Sequence, residues 1–173
     1  MTEKEQKIKI LIADDSEMNR AILAEMLGEG YEILEAEDGG EALDCLTRHG
    51  TTISLVLLDI VMPKMDGFGV LTEMNKKHLI EEIPVIMISA EGGAEAIRRA
   101  YNLGISDYIS RPFDMEVVRK RVTNTLMLYA KQKQLLEMVA EQVYEKQKSN
   151  TLMVNILSHI VEFRNGESGL HVI

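Results

Sequence analysis

The chain carries a single cysteine, Cys45, among 173 residues, which rules out an internal disulfide. It also lacks any apolar run approaching the ~20 residues that a membrane-crossing helix needs. Residues 1–9 read MTEKEQKIK and hold no signal-peptide apolar core. Together these absences point to a reducing cytoplasm. Positive charge is scarce as well: 19 Lys and Arg stand against 28 Asp and Glu, for a net charge of -9. No basic stripe stands apart from this acidic bulk, so nucleic acid is not an expected partner, and neither is a membrane. What remains is 46% hydrophobic and 27% charged, the profile of a globular chain rather than a disordered one.

The hydrophobic residues fall into a repeating order. Short runs rich in Ile, Val and Leu occupy residues 8–13, 31–36, 53–58, 85–88 and 108–109, each bounded by Asp, Gly, Ser or Pro. Such runs read as buried parallel strands. Between them the spacing predicts helices over 18–27, 40–48, 68–77 and 94–103, with Gly28, Gly50 and Gly104 as stop signals past three of them. The expected fold is therefore α/β, a five-stranded doubly wound parallel sheet covered on both faces.

Proline and glycine are both missing from residues 114–160, and this stretch reads as one long helix. Asp114 is its expected N-cap, with Val117, Val118 and Val122 turned toward the sheet. Beyond them an apolar stripe runs at heptad spacing: Val122, Tyr129, Leu136 and Val143 in one register, Val139, Met153 and Ile160 in the other. Gln132, Lys146 and Asn150 interrupt it. A stripe with nothing else in the chain to cover it suggests a coiled coil with a second copy, a homodimer. The alternative is a solvated helix folded back on its own domain.

Three carboxylates stand at predicted strand ends, Asp14 and Asp15 after the first strand and Asp59 after the third. A parallel sheet makes such ends neighbours, and like charges so close require a cation. An all-oxygen set suits Mg²⁺ better than zinc. Ser89 ends the fourth strand with a hydroxyl, and Arg111 follows the fifth with a fixed positive charge. Nucleophilic carboxylate, metal, hydroxyl and cation are the parts that phosphoryl transfer uses. Taken singly, each acid could be an ordinary turn residue. The three histidines outside the C-terminal segment, His49, His78 and His159, read as surface residues, and most of the methionines as core.

Four segments carry a family resemblance: Ile12-Ala13-Asp14-Asp15-Ser16, the stretch from Leu57 to Gly67 (LLDIVMPKMDG), Ile86-Met87-Ile88-Ser89-Ala90, and the stretch from Asp107 to Phe113 (DYISRPF). Together they resemble the signature segments of response-regulator receiver domains of the CheY-like, flavodoxin-like kind. The resemblance implies strand order 2-1-3-4-5 and phosphorylation of Asp59 by a sensor histidine kinase. It further implies Mg²⁺ held by Asp15, Asp59 and the Val61 backbone carbonyl, with Asp14 acting largely through water. Ser89 and Tyr108 would be the switch pair, Tyr108 turning inward as Ser89 moves. One departure is Arg111, where the family ordinarily has lysine before a cis-proline, here Pro112.

A second, shorter resemblance lies at the C-terminal end. Arg164 followed by Glu167-Ser168-Gly169-Leu170-His171 resembles the opening of HD-GYP domains, which are metal-dependent phosphodiesterases of cyclic di-GMP. In that family, positions matching Glu167 and His171 can be metal ligands. The His-Asp pair and the Gly-Tyr-Pro motif are absent. The expected organisation is a receiver domain over 1–124, a coiled-coil linker over 125–160, and a truncated start of a covalently attached output domain over 161–173. On this reading the chain itself is not an enzyme. Two other readings stay open: a phosphorylation-independent interaction module, and an aspartyl-phosphate phosphatase, which would need an acid where Val61 stands.

Overall fold

The computed structural model describes residues 6–90 and 92–168, excepting the side chains of 167 and 168. The expectation for Glu167 as a ligand, and that for His171, thus lie outside the described residues. The elements run β1 (Ile8–Ala13), α1 (Glu17–Leu27), β2 (Tyr31–Ala36), α2 (Gly39–His49), β3 (Ile53–Leu58), α3 (Gly67–Lys76), β4 (Val85–Ser89), α4 (Ala94–Asn102), β5 (Asp107–Ser110) and α5 (Met115–Ser168). All pairings are parallel, in the order β2-β1-β3-β4-β5. Fold class and strand order are those expected from the sequence.

The central strands β3 and β4 read as near-continuous apolar runs because both their faces are covered. Alternation within each strand sends residues to opposite cores. Leu11, Val56, Leu58, Val85 and Met87 join Leu46 of α2, Met74 of α3 and Ala100 of α4 on one side. Ile10, Ile12, Leu55, Leu57, Ile86 and Ile88 join Leu23 and Met26 of α1 and Val118 and Val122 of α5 on the other. Burying a side chain of this size stabilises by ~1.5–3 kcal/mol, so two filled layers account for the fold's insistence on these strands.

Helix starts follow local chemistry. Ser16, Asp38 and Asp66 cap α1, α2 and α3, each accepting from the backbone N–H three residues on. Asp114 opens α5 as expected, its carboxylate accepting from Glu116 and Val117 N–H at 2.9 and 3.1 Å. One expectation fails here: Val117 is 45% exposed. Val118 and Val122 share a face at i, i+4, whereas Val117 is rotated about 100° away from it.

The chain divides into two compact units, Met1–Tyr129 and Ala130–Ile173. In the second unit every described side chain is exposed. The helix also continues past Ile160 to Ser168, through Gly166. A helical glycine costs about 1 kcal/mol against alanine, which a long helix tolerates. No helix among the described residues is long and apolar enough to cross a membrane.

The acidic pocket at the strand ends

Backbone hydrogen bonds extend the sheet just beyond its strands and so place the site. Asp14 N–H donates to the Ala36 carbonyl at 3.0 Å and Asp59 N–H to the Ala13 carbonyl at 2.9 Å. Arg111 N–H donates to the Ser89 carbonyl at 3.0 Å. Asp14, Asp59 and Arg111 are therefore each tied to a neighbouring strand, not left on a free loop.

Asp14, Asp15 and Asp59 converge, each offering a carboxylate oxygen within 4.8 Å of the others. Asp14 and Asp59 are buried, at 1% and 7% exposure, while Asp15 faces solvent. Burial pushes the Asp59 carboxyl above its ordinary pKa, and the neighbouring Asp14 charge pushes the same way. The Arg111 guanidinium, a Ser89 hydroxyl hydrogen bond and the Ile60 N–H pull it back without cancelling the rise. Arg111 sets Nη2 at 2.5 Å from Asp14 Oδ2 and Nη1 at 3.7 Å from Asp59 Oδ2. The peptide joining Arg111 to Pro112 is cis.

Three converging oxygens with residual like-charge repulsion fit a hard divalent cation. One cation, Arg111, already spans two of the acids, and Asp15 keeps an exposed oxygen toward water. Mg²⁺, which retains several waters when bound by few carboxylates, suits this half-open edge.

The loop after β3 is held close. A Cβ on Gly67 would lie 2.4 Å from the Asp59 carbonyl, so only glycine lets α3 begin there. Gly67 N–H donates to the Ile60 carbonyl at 2.7 Å. Across the loop, a Cβ on Gly39 would meet the Met65 carbonyl at 2.3 Å. Lys64 Nζ stands 3.4 Å from Asp38 Oδ2, pinning the same loop from α2.

Among known proteins, the receiver-domain pattern of response regulators matches residues 10–123. The chain belongs to the response regulator receiver domain family. Response regulator RR06 of Streptococcus pneumoniae is 37% identical over 70% of this chain, which spans 54% of that protein. A probable cyclic di-GMP phosphodiesterase of Vibrio cholerae is 32% identical over 95% of this chain, spanning 38% of that protein. This chain therefore spans about half, or less, of these two curated relatives. Among solved structures, CheY in a CheX-CheY-BeF3-Mg+2 complex from Borrelia burgdorferi is 34% identical at a TM-score of 0.63, covering 68% of this chain and 87% of that one.

In this receiver domain the remaining candidates fall where the strands put them. Ser89 ends β4, 1% exposed. Val61 is 57% exposed in the loop after Asp59. Tyr108 is already buried, at 8% exposure, in the core shared with α4, so the inward position is the one this structure holds.

Several positioning contacts had escaped the sequence reading. Arg20 Nη1 donates to the Asp14 carbonyl at 2.7 Å and Arg20 Nε meets Glu35 at 3.2 Å, bracing the first acid from α1. Arg121 Nη1 donates to the Tyr108 carbonyl at 3.2 Å and lies 3.6 Å from Asp107. Tyr129 and Ser106 hydroxyls stand 3.2 Å apart. Each contact spans 6 to 23 residues, so no local pattern announces it. The Asp38 cap is different: Asp38 and Glu41 form a D-x-x-E capping signature legible in the sequence.

Proposed function

We propose that this chain is a phosphorylation switch in which Asp59 accepts a phosphoryl group from a sensor histidine kinase. The observation that carries the reading is the convergence of Asp14, Asp15 and Asp59 beside Ser89 and Arg111 at the carboxyl edge of the sheet. Asp59 is assigned as the nucleophile because it follows β3, between Asp14 after β1 and Ser89 at the end of β4, with the Ser89 hydroxyl bonded to it and Arg111 nearby. Asp15, Asp59 and the Val61 carbonyl would hold Mg²⁺, with Asp14 acting largely through water. When bound, Mg²⁺ would neutralise the acidic edge and the charge developing on the phosphoryl oxygens. Arg111 then turns from its carboxylate partners to the phosphoryl oxygens, which it suits by charge and planar fork. Ser89 supplies a hydroxyl donor at the same edge.

A phosphoryl group adds about -1.5 to -2 charge and three strong acceptors. Ser89 is drawn toward it, and Tyr108, already inward in this structure, is held there as the second switch residue. Arg121 on α5 holds the Tyr108 carbonyl, which gives the switch a contact with the C-terminal helix. The helix passes the signal to an output domain, of HD-GYP cyclic di-GMP phosphodiesterase type. That identification is supported by the likeness to the Vibrio cholerae protein along 95% of this chain. This chain itself has no phosphodiesterase activity on this reading. The exposed apolar stripe beyond Ala130 pairs with a second copy, because a helix without tertiary packing is marginal in water.

Intact-mass analysis after incubation with Mg²⁺ and a small phosphodonor tests the switch. One phosphoryl adduct is expected on the native chain and none on Asp59→Ala. A second reading, a phosphorylation-independent interaction module, draws on one observation: Arg111 already engages both Asp14 and Asp59. Absence of the adduct, with the fold intact and the donor active on another receiver, would select that module.

A further inference from the structure

The stripe on α5 carries more information than its apolar character. Over residues 132–164 the helix presents two apolar blocks in one a/d seam. The first is Leu136, Val139 and Val143, the second Met153, Leu157 and Ile160, and all six are half or more exposed. Between the blocks lie Lys146 and Asn150, and outside them lie Gln132 and Arg164, all four exposed. The seam is thus symmetric about Lys148 in its alternation of polar and apolar positions.

In a parallel pair each seam residue meets its own copy. Lys146 would face Lys146 and Arg164 would face Arg164, two like-charge layers in a partly desolvated seam. An antiparallel pair centred on residue 148 removes both. Lys146 then meets Asn150 of the second copy, whose amide oxygen accepts from the ammonium, and Gln132 meets Arg164 in the same way. The apolar layers stay matched: Leu136 with Ile160, Val139 with Leu157, and Val143 with Met153. A two-fold axis makes every such contact reciprocal, so each layer occurs twice.

We propose that the second unit of this chain self-associates as an antiparallel helix pair centred on Lys148, with Lys146 and Asn150 as its orienting polar layers. This rests on the reading that the helix pairs with a second copy, and it adds the direction and register of that pair.

Disulfide exchange tests it in the full chain on a Cys45→Ser background. Val139→Cys and Leu157→Cys chains are mixed, equilibrated in a glutathione buffer, and weighed intact. Both positions are exposed in this structure, so neither change disturbs the receiver core. The expected result is a mixed disulfide, joining position 139 of one chain to position 157 of the other, severalfold in excess of the two symmetric ones. Replacing Lys146 and Arg164 by leucine in both chains should bring the products back toward a statistical mixture. Predominance of the symmetric disulfides would overturn the direction while leaving self-association standing. A statistical mixture from the starting pair overturns the register. An excess of mixed disulfide that survives the leucine replacements would show that these charges do not set the direction. Sedimentation at the 19.5 kDa monomer mass would remove the pairing itself.

Discussion

The two units obey opposite rules. Up to Tyr129 the central strands are buried on both faces, and Asp14, Asp59 and Arg111 sit just past strand ends where a backbone hydrogen bond to the neighbouring strand fixes them. From Ala130 onward not one described side chain is covered, though Leu, Ile, Val and Met recur throughout. Equal hydrophobicity therefore means different things. In the sheet it encodes a core made within the chain; in the helix it encodes a surface left for something else.

The sharpest way to break this comparison is to truncate one leucine in each unit. Leu57→Ala, at 1% exposure, should cost the receiver about 2–5 kcal/mol in calorimetric unfolding. Leu136→Ala, at 71% exposure, should leave that transition within about 0.5 kcal/mol of the parent and instead weaken self-association. Equal losses in the two variants would mean that the helix is covered by its own receiver domain.

Charge in the pocket offers a smaller effect with a pH signature. The Asp59 pKa is raised in the folded state, so its ionised form opposes folding once the pH exceeds the unfolded value. That cost is absent below the unfolded value of about 4 and complete above the folded one. Asp59→Asn should therefore raise the melting temperature in metal-free buffer at neutral pH, and the gain should vanish at low pH. Mg²⁺ should stabilise the parent and not the variant. A gain independent of pH would trace the effect to packing instead of charge.

The smallest expected effect lies at the α2 cap. Asp38 has a lowered pKa, held down chiefly by the Glu41 N–H and then by Lys64, against the opposing effect of burial. Its contribution is present above the unfolded value near 4 and lost as pH falls through the folded one. Asp38→Ala should be slightly destabilising at neutral pH, and Asp38→Asn less so because asparagine still caps. If the two variants melt alike, the cap contributes nothing beyond its charge.

Most of the receiver unit was legible residue by residue. Asp14, Asp59 and Ser89 could be placed because a parallel sheet aligns its strand ends, and the apolar runs located those ends. Val117 was misplaced because three valines in six residues outnumber the positions that one helix face can bury. The contacts of Arg20, Arg121 and Tyr129 are not legible in the sequence because each acts across 6 to 23 residues on a partner set by packing.

By itself the sequence determined the α/β order, the five strands, the Asp114 cap of the last helix and the identity of the acidic residues. These follow from periodicity and from short-range hydrogen bonds, which operate within a few residues of chain. Only the tertiary structure decided that Arg111 pairs with Asp14 and nears Asp59, and that Tyr108 lies inward. Those outcomes depend on distances between elements far apart in the chain, and packing two layers onto one sheet is what sets such distances.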